Sequence, residues 1–266
     1  MPQNVCGLSV NPDVSGIGVR TAMYVQALLG IVGCSVFADR KFRAACIRNS
    51  SITSLATVCT LLIQLRSSGD VSLVDALVVS MMSILVLLSG IFIIVIYALR
   101  YGFRKRDRGL YIIYLANSSA SVLVTDLMCA RITSFASNAS CRDVNTTVKF
   151  VVAGKSVLVT NRSLRIFALT FSSVLLFVAF LASAGLPLLS TLRVLQRRDE
   201  VDIITWRFWV MCCQLGGAIY MIVTTEQVLS RNNLQHQTHQ WSFGQTLALI
   251  MLIQPLSDIF YAIWRN

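Results

Sequence analysis

A handful of charged and amide side chains stand where this sequence is otherwise apolar. Arg20 lies in the first long apolar run, Asp75 opens the third, Asp126 lies in the fourth, Glu226 in the sixth and Gln245 in the seventh. Charges inside apolar segments are expensive unless paired, so they mark sites or packing locks. Placed by their distance from the run ends, these groups are expected at one depth of a helical bundle, as a polar cluster. Arg20 is expected to face inward and to pair with Asp126 or Glu226. A buried carboxyl favours its neutral form, and a neutral carboxyl can protonate an olefin or epoxide. Asp126 and Glu226 are therefore the candidate acids. Tyr24, Trp206, Trp209 and Tyr220 are aromatics that could stabilise a carbocation. A set of paired charges that only fixes helix packing would use the same residues.

The elements that carry these groups are membrane spans. Of 266 residues, 55% are hydrophobic and 13% charged, against about 25% charged in ordinary soluble domains. Mean hydropathy is +0.69. Seven runs approach the ~20 residues of one crossing: 15–38, 50–66, 72–99, 110–134, 165–190, 203–229 and 241–264. The expected fold is all-α, a single seven-helix membrane domain whose environment is lipid. No cleavage site follows the first run, so the first helix is expected to act as its own insertion signal.

The net charge of +11 is no nucleic-acid signature. Its residues flank apolar runs, as in Arg40, Lys41, Arg43 and Arg48, then Arg100, Arg104, Lys105, Arg106 and Arg108, then Arg193, Arg197 and Arg198. The positive-inside rule puts these in the cytosol with the C-terminus, and the N-terminus outside. The loop after the fourth run then lies outside, and it holds sequons at Asn138, Asn145 and Asn161. Cys6 and Cys141, the two cysteines assigned outside, are a candidate disulfide. In the same loop, two β-branched runs flank Ala153 and Gly154, which predicts a short hairpin.

The N-terminal stretch NPDVSG reads as a helix start. Asn11 is a cap, Pro12 suits the first turn, Asp13 complements the dipole, and Gly16 and Gly18 admit a close neighbour. Pro255 is expected to kink the last run. No lysine falls inside a span, which excludes a retinal Schiff base. The G-x-x-x-x-G-K-[ST], HExxH and G-x-S-x-G patterns are absent. No metal or cofactor is called for. His236 and His239 lack further ligands, and Cys212 and Cys213 read as core residues.

NPDVSGIGVRTAMYVQALL resembles the first helix of a large family of fungal multi-pass membrane proteins, whose opening reads N-x-D-x-x-G-x-G-V-R followed by an aromatic and a glutamine, here Tyr24 and Gln26. The likeness extends to CRDVNTTVKFVVAGKSVLVTNRSLR and to WSFGQTLALIMLIQP, where Ser242 to Gln245 form the second marker. Relatives often carry a histidine-like residue where Asp75 stands, and continue into a tail after the last helix. The resemblance implies seven-helix architecture and, for some members, specialised-metabolite pathways in which small membrane terpene cyclases also occur. Two functions follow as expectations. One is a cyclase-like enzyme acting on a prenylated lipophilic intermediate. The other is a non-catalytic transporter, accessory or sensor protein. The sequence fixes no oligomeric state.

Overall fold

The computed structural model describes residues 8, 10–36, 40–67, 72–101, 108–132, 145–185 and 200–265. Cys6, Cys141 and Asn138 lie outside the described residues. Among the described residues are α1 (Pro12–Ser15), α2 (Ile17–Val36), α3 (Arg40–Ser67), α4 (Leu73–Tyr101) and α5 (Arg108–Ala130). A hairpin, β1 (Lys149–Val152) and β2 (Lys155–Leu158), leads into α6 (Arg162–Phe180), whose last turn widens to π geometry over Leu181–Gly185. Then come α7 (Glu200–Arg231), the short α8 (Gln235–Thr238), α9 (Phe243–Ile250) and α10 (Ile253–Arg265).

Six helices are long and apolar enough to cross a membrane. The seventh run does not form one continuous helix. It turns at Met251–Leu252 and resumes at Ile253. The break falls four residues before Pro255, whose ring clashes with that carbonyl and whose nitrogen cannot donate. The second run extends well beyond its sequence estimate. Residues 40–67 contain neither glycine nor proline, so nothing stops the helix, and Arg40, Lys41, Arg43 and Arg48 join α3 instead of forming a loop. Arg43 is fully buried there.

α4 is the central helix and packs against α2, α3, α5 and α7. Small polar residues let its neighbours approach. Ser54 Oγ stands 3.4 Å from Ser83 Oγ, and Ser80 Oγ 2.6 Å from Thr125 Oγ1. Tyr114 donates its hydroxyl to Leu87 O at 3.0 Å and lies flat on Gly90. A side chain at Gly90 would meet the ring at 2.6 Å.

The hairpin forms as its sequence predicts. Lys149 pairs with Leu158 and Val152 with Lys155, and Ala153 and Gly154 take φ of 47° and 79°. Positive φ at both turn residues matches the twist of the strands. Val148, Val151 and Val159 bury its inner face in the main core. Asn232 fastens it to the end of α7, accepting from Lys149 N at 2.9 Å and donating to Lys149 O at 2.8 Å.

Candidate functional site

The N-terminal stretch is a helix in two pieces. Asn11 caps α1, its side chain accepting from Asp13 N at 2.9 Å. Gly16 then turns extended, with ψ of 160°, and ends α1. α2 begins at once, so its first N–H groups lack a preceding turn to bond to. Gln245 supplies the missing acceptor. Gly18 N donates to Gln245 Oε1 at 2.9 Å, and Gln245 Nε2 donates to Gln240 O at 2.6 Å. Asp13 completes the joint by accepting from Gly244 N at 3.1 Å. The two stretches that carry the family resemblance thus lock together. Gly16, Gly18 and Gly244 are small because Gln245 or Asp13 occupies the adjoining space.

Asp75 meets no arginine in its described hydrogen bonds. It is buried and takes its donors from the backbone and hydroxyls: Asn11 N at 3.0 and 3.2 Å, Ser72 Oγ at 2.8 Å, Ser72 N at 3.4 Å, and Ser15 Oγ. Ser72 in turn accepts from Asp75 N at 3.0 Å. Ser72-Leu73-Val74-Asp75 is therefore a capping box at the head of α4. That pattern stood in the sequence ahead of an apolar run and could have assigned Asp75 its role. Asp75→Asn places an amide N–H₂ among donors. It is expected to cost about 2–3 kcal/mol, since bonds to a charged acceptor are worth roughly that much. Thermal unfolding of the purified protein checks it, and an unchanged midpoint would refute the lock.

Arg20 is 2% exposed, and its Nε stands 3.4 Å from Glu226 Oε1. The same oxygen accepts from Tyr24 OH at 2.9 Å. Of the two partners anticipated for Arg20, Glu226 is the one within ion-pair distance. Glu226 lies five residues before α7 ends at Arg231, and Arg20 in the first turn of α2, so the pair sits at the hairpin end of the bundle.

Asp126 faces elsewhere. It is half-buried on α5 and receives the Ser172 hydroxyl of α6 at 3.5 Å. Nearby, Arg165 Nη2 donates to Cys129 O at 2.6 Å. The expected single polar cluster is therefore divided. Asp13, Asp75 and Gln245 are built into the N-terminal joint, Arg20 and Glu226 join α2 to α7, and Asp126 looks toward α6. The division has a physical cause: broken helices and hydroxyls provide donors close to each carboxylate, so one arginine need not serve them all.

Among the sequons, Asn161 is exposed and caps α6 through Oδ1, which accepts from Ser163 N at 2.9 Å. Asn145 is buried, and its Nδ2 has no partner. Trp209 and Tyr220 are exposed, Tyr24 is half-buried, and the Trp206 side chain lies outside the described set. His236 and His239 are exposed. Among the described residues, no three His, Cys, Asp or Glu side chains come together as a metal site. Asn117 was not singled out as a site residue: it is fully buried in α5 with neither amide atom hydrogen-bonded. The chain matches no protein-family model, no curated protein and no solved structure.

Proposed function

We propose that this chain is a multi-pass membrane enzyme of fungal specialised metabolism that cyclises a prenylated, lipophilic intermediate, with Asp126 as proton donor. The observation that carries the reading is the unequal engagement of three carboxyls. Asp75 accepts from two serines and a backbone amide, and Glu226 is held by a guanidinium and a phenol. Both are committed as acceptors. Asp126 meets a hydroxyl at 3.5 Å, half-buried where α5 faces α6. It is the carboxyl best placed to hold a proton for a ligand in an apolar setting. The acid role therefore rests on Asp126, and Glu226 leaves it. The reaction is an isomerisation: Asp126 protonates an olefin or epoxide, the cation closes a ring, and a proton lost from the product restores the balance.

The charge pattern supports an orientation with the hairpin end outside the cytosol, in the endoplasmic reticulum or plasma membrane. Asn161, with Nδ2 free while Oδ1 caps, is the described sequon open to glycosylation.

The test uses membranes containing the full chain and an epoxidised prenyl-aromatic substrate. A product of unchanged mass and new retention time is expected. Asp126→Asn should lower its rate by at least about 100-fold, the usual scale of a lost general acid, with the folded yield unchanged. Full activity in that variant overturns the assignment. The second reading, a non-catalytic transport or sensing protein, is favoured by the Arg20–Glu226 pair, and it requires that the substrate bind and leave unchanged.

A further inference from the structure

Glu226 stands at the head of a track on the open face of α7. Cys212, Gly216, Ile219 and Val223 precede it at spacings of four, three, four and three residues, so all five share one stripe. The first four are exposed. The stripe runs about 21 Å, at about 1.5 Å per residue. A side chain at Gly216 would meet nothing within 4 Å, so the track has a gap along its length. A membrane helix gains nothing from an exposed glycine unless something packs there.

The polar end of the track is unfinished. Arg20 is buried, yet neither its Nε nor its Nη1 has a hydrogen-bond partner, although Nε is 3.4 Å from Glu226 Oε1. Glu226 answers the guanidinium with one oxygen, which it also lends to Tyr24. Unfilled buried donors are costly, and a guanidinium fork matches two oxygens of a phosphate or carboxylate. Glu226 is 42% exposed, so it is the movable member of the pair.

We propose that this face binds an anionic phospholipid of the bilayer. Its phosphate bridges the Arg20 donors and Tyr24 OH, displacing Glu226, and one acyl chain lies along Val223, Ile219 and Gly216. The site is separate from Asp126 and does not depend on the cyclase reading.

The probe is phosphatidic acid added to the detergent-solubilised full chain, with phosphatidylcholine and inorganic phosphate as the other arms. Phosphatidic acid should raise the unfolding midpoint and persist through native mass spectrometry, while the other two do neither. Gly216→Leu fills the track on an open face where folding is undisturbed. It should weaken phosphatidic acid by about tenfold, about 1.4 kcal/mol. Glu226→Gln removes the competing carboxylate and should bind it about tenfold more tightly. Tyr24→Phe, which keeps the ring, should weaken it. Equal binding of phosphatidylcholine, an effect of inorganic phosphate alone, or unchanged affinity in Gly216→Leu each overturns the proposal. Loss of lipid binding in Gly216→Leu with turnover intact leaves the Asp126 reading standing, and the converse result for Asp126→Asn leaves this one.

Discussion

Glu226→Gln is expected to destabilise the protein by about 3–5 kcal/mol, the scale of an uncompensated buried charge. Arg20→Met is expected to cost much less. The asymmetry follows from exposure: the Arg20 side chain is 2% exposed and the Glu226 side chain 42%. Removing the carboxylate strands a guanidinium that water cannot reach. Removing the guanidinium leaves a carboxylate that can hydrate and that still accepts from Tyr24 OH. Arg20→Met/Glu226→Gln together should recover most of the loss, because no charge is then buried. Unfolding midpoints of the two single variants and the double variant, in one detergent, decide the matter. Equal losses in the two singles, or a double variant as unstable as Glu226→Gln alone, would refute the pair as described.

The spans were legible because their signal is long and one-sided: a run of apolar residues reports its own length. Their ends were less so. α3 begins ten residues before its sequence estimate because Arg40, Lys41, Arg43 and Arg48 read as a loop, while helix propensity continues through them. The hairpin was legible from the β-branched runs around Ala153–Gly154, since both turn residues must accept positive φ. The break near Pro255 was anticipated as a kink. Its position at Met251–Leu252 follows from the four-residue reach of the proline clash.

The site was legible in its membership more than in its wiring. Arg20 and Glu226 could be paired by depth, because each lies about a turn or so from the same end of its helix. Depth does not tell which way a side chain points, so Asp126 and Asp75 were assigned to the same cluster. Asp75 was tied to a long-range charge although Ser72, three residues earlier, offered a local partner. Gln245 is a tertiary fact. Its acceptor reaches an amide 227 residues away, and only the break at Gly16 leaves that amide available.

That joint makes Gly18→Ala the second substitution with a large expected effect, and it reverses the usual sign. Alanine in place of a helical glycine ordinarily stabilises by up to about 1 kcal/mol. Gly217→Ala in α7, where a Cβ would meet nothing within 4 Å, should behave that way. At Gly18 the added carbon falls 2.7 Å from Gln245 Cβ and 3.2 Å from Gln245 Cα. Those atoms are fixed to the backbone of α9, so no rotamer change relieves the clash. Overpacking of this kind costs about 1–3 kcal/mol. Separating the helices to admit the carbon would also stretch the bond from Gly18 N to Gln245 Oε1, whose loss leaves a buried donor unfilled. Gly18→Ala should therefore lower the unfolding midpoint while Gly217→Ala raises it. In a Gln245→Gly background the obstructing carbon is gone, and Gly18→Ala should cost little. If it costs as much there as in the native protein, α9 is not what confines this position to glycine.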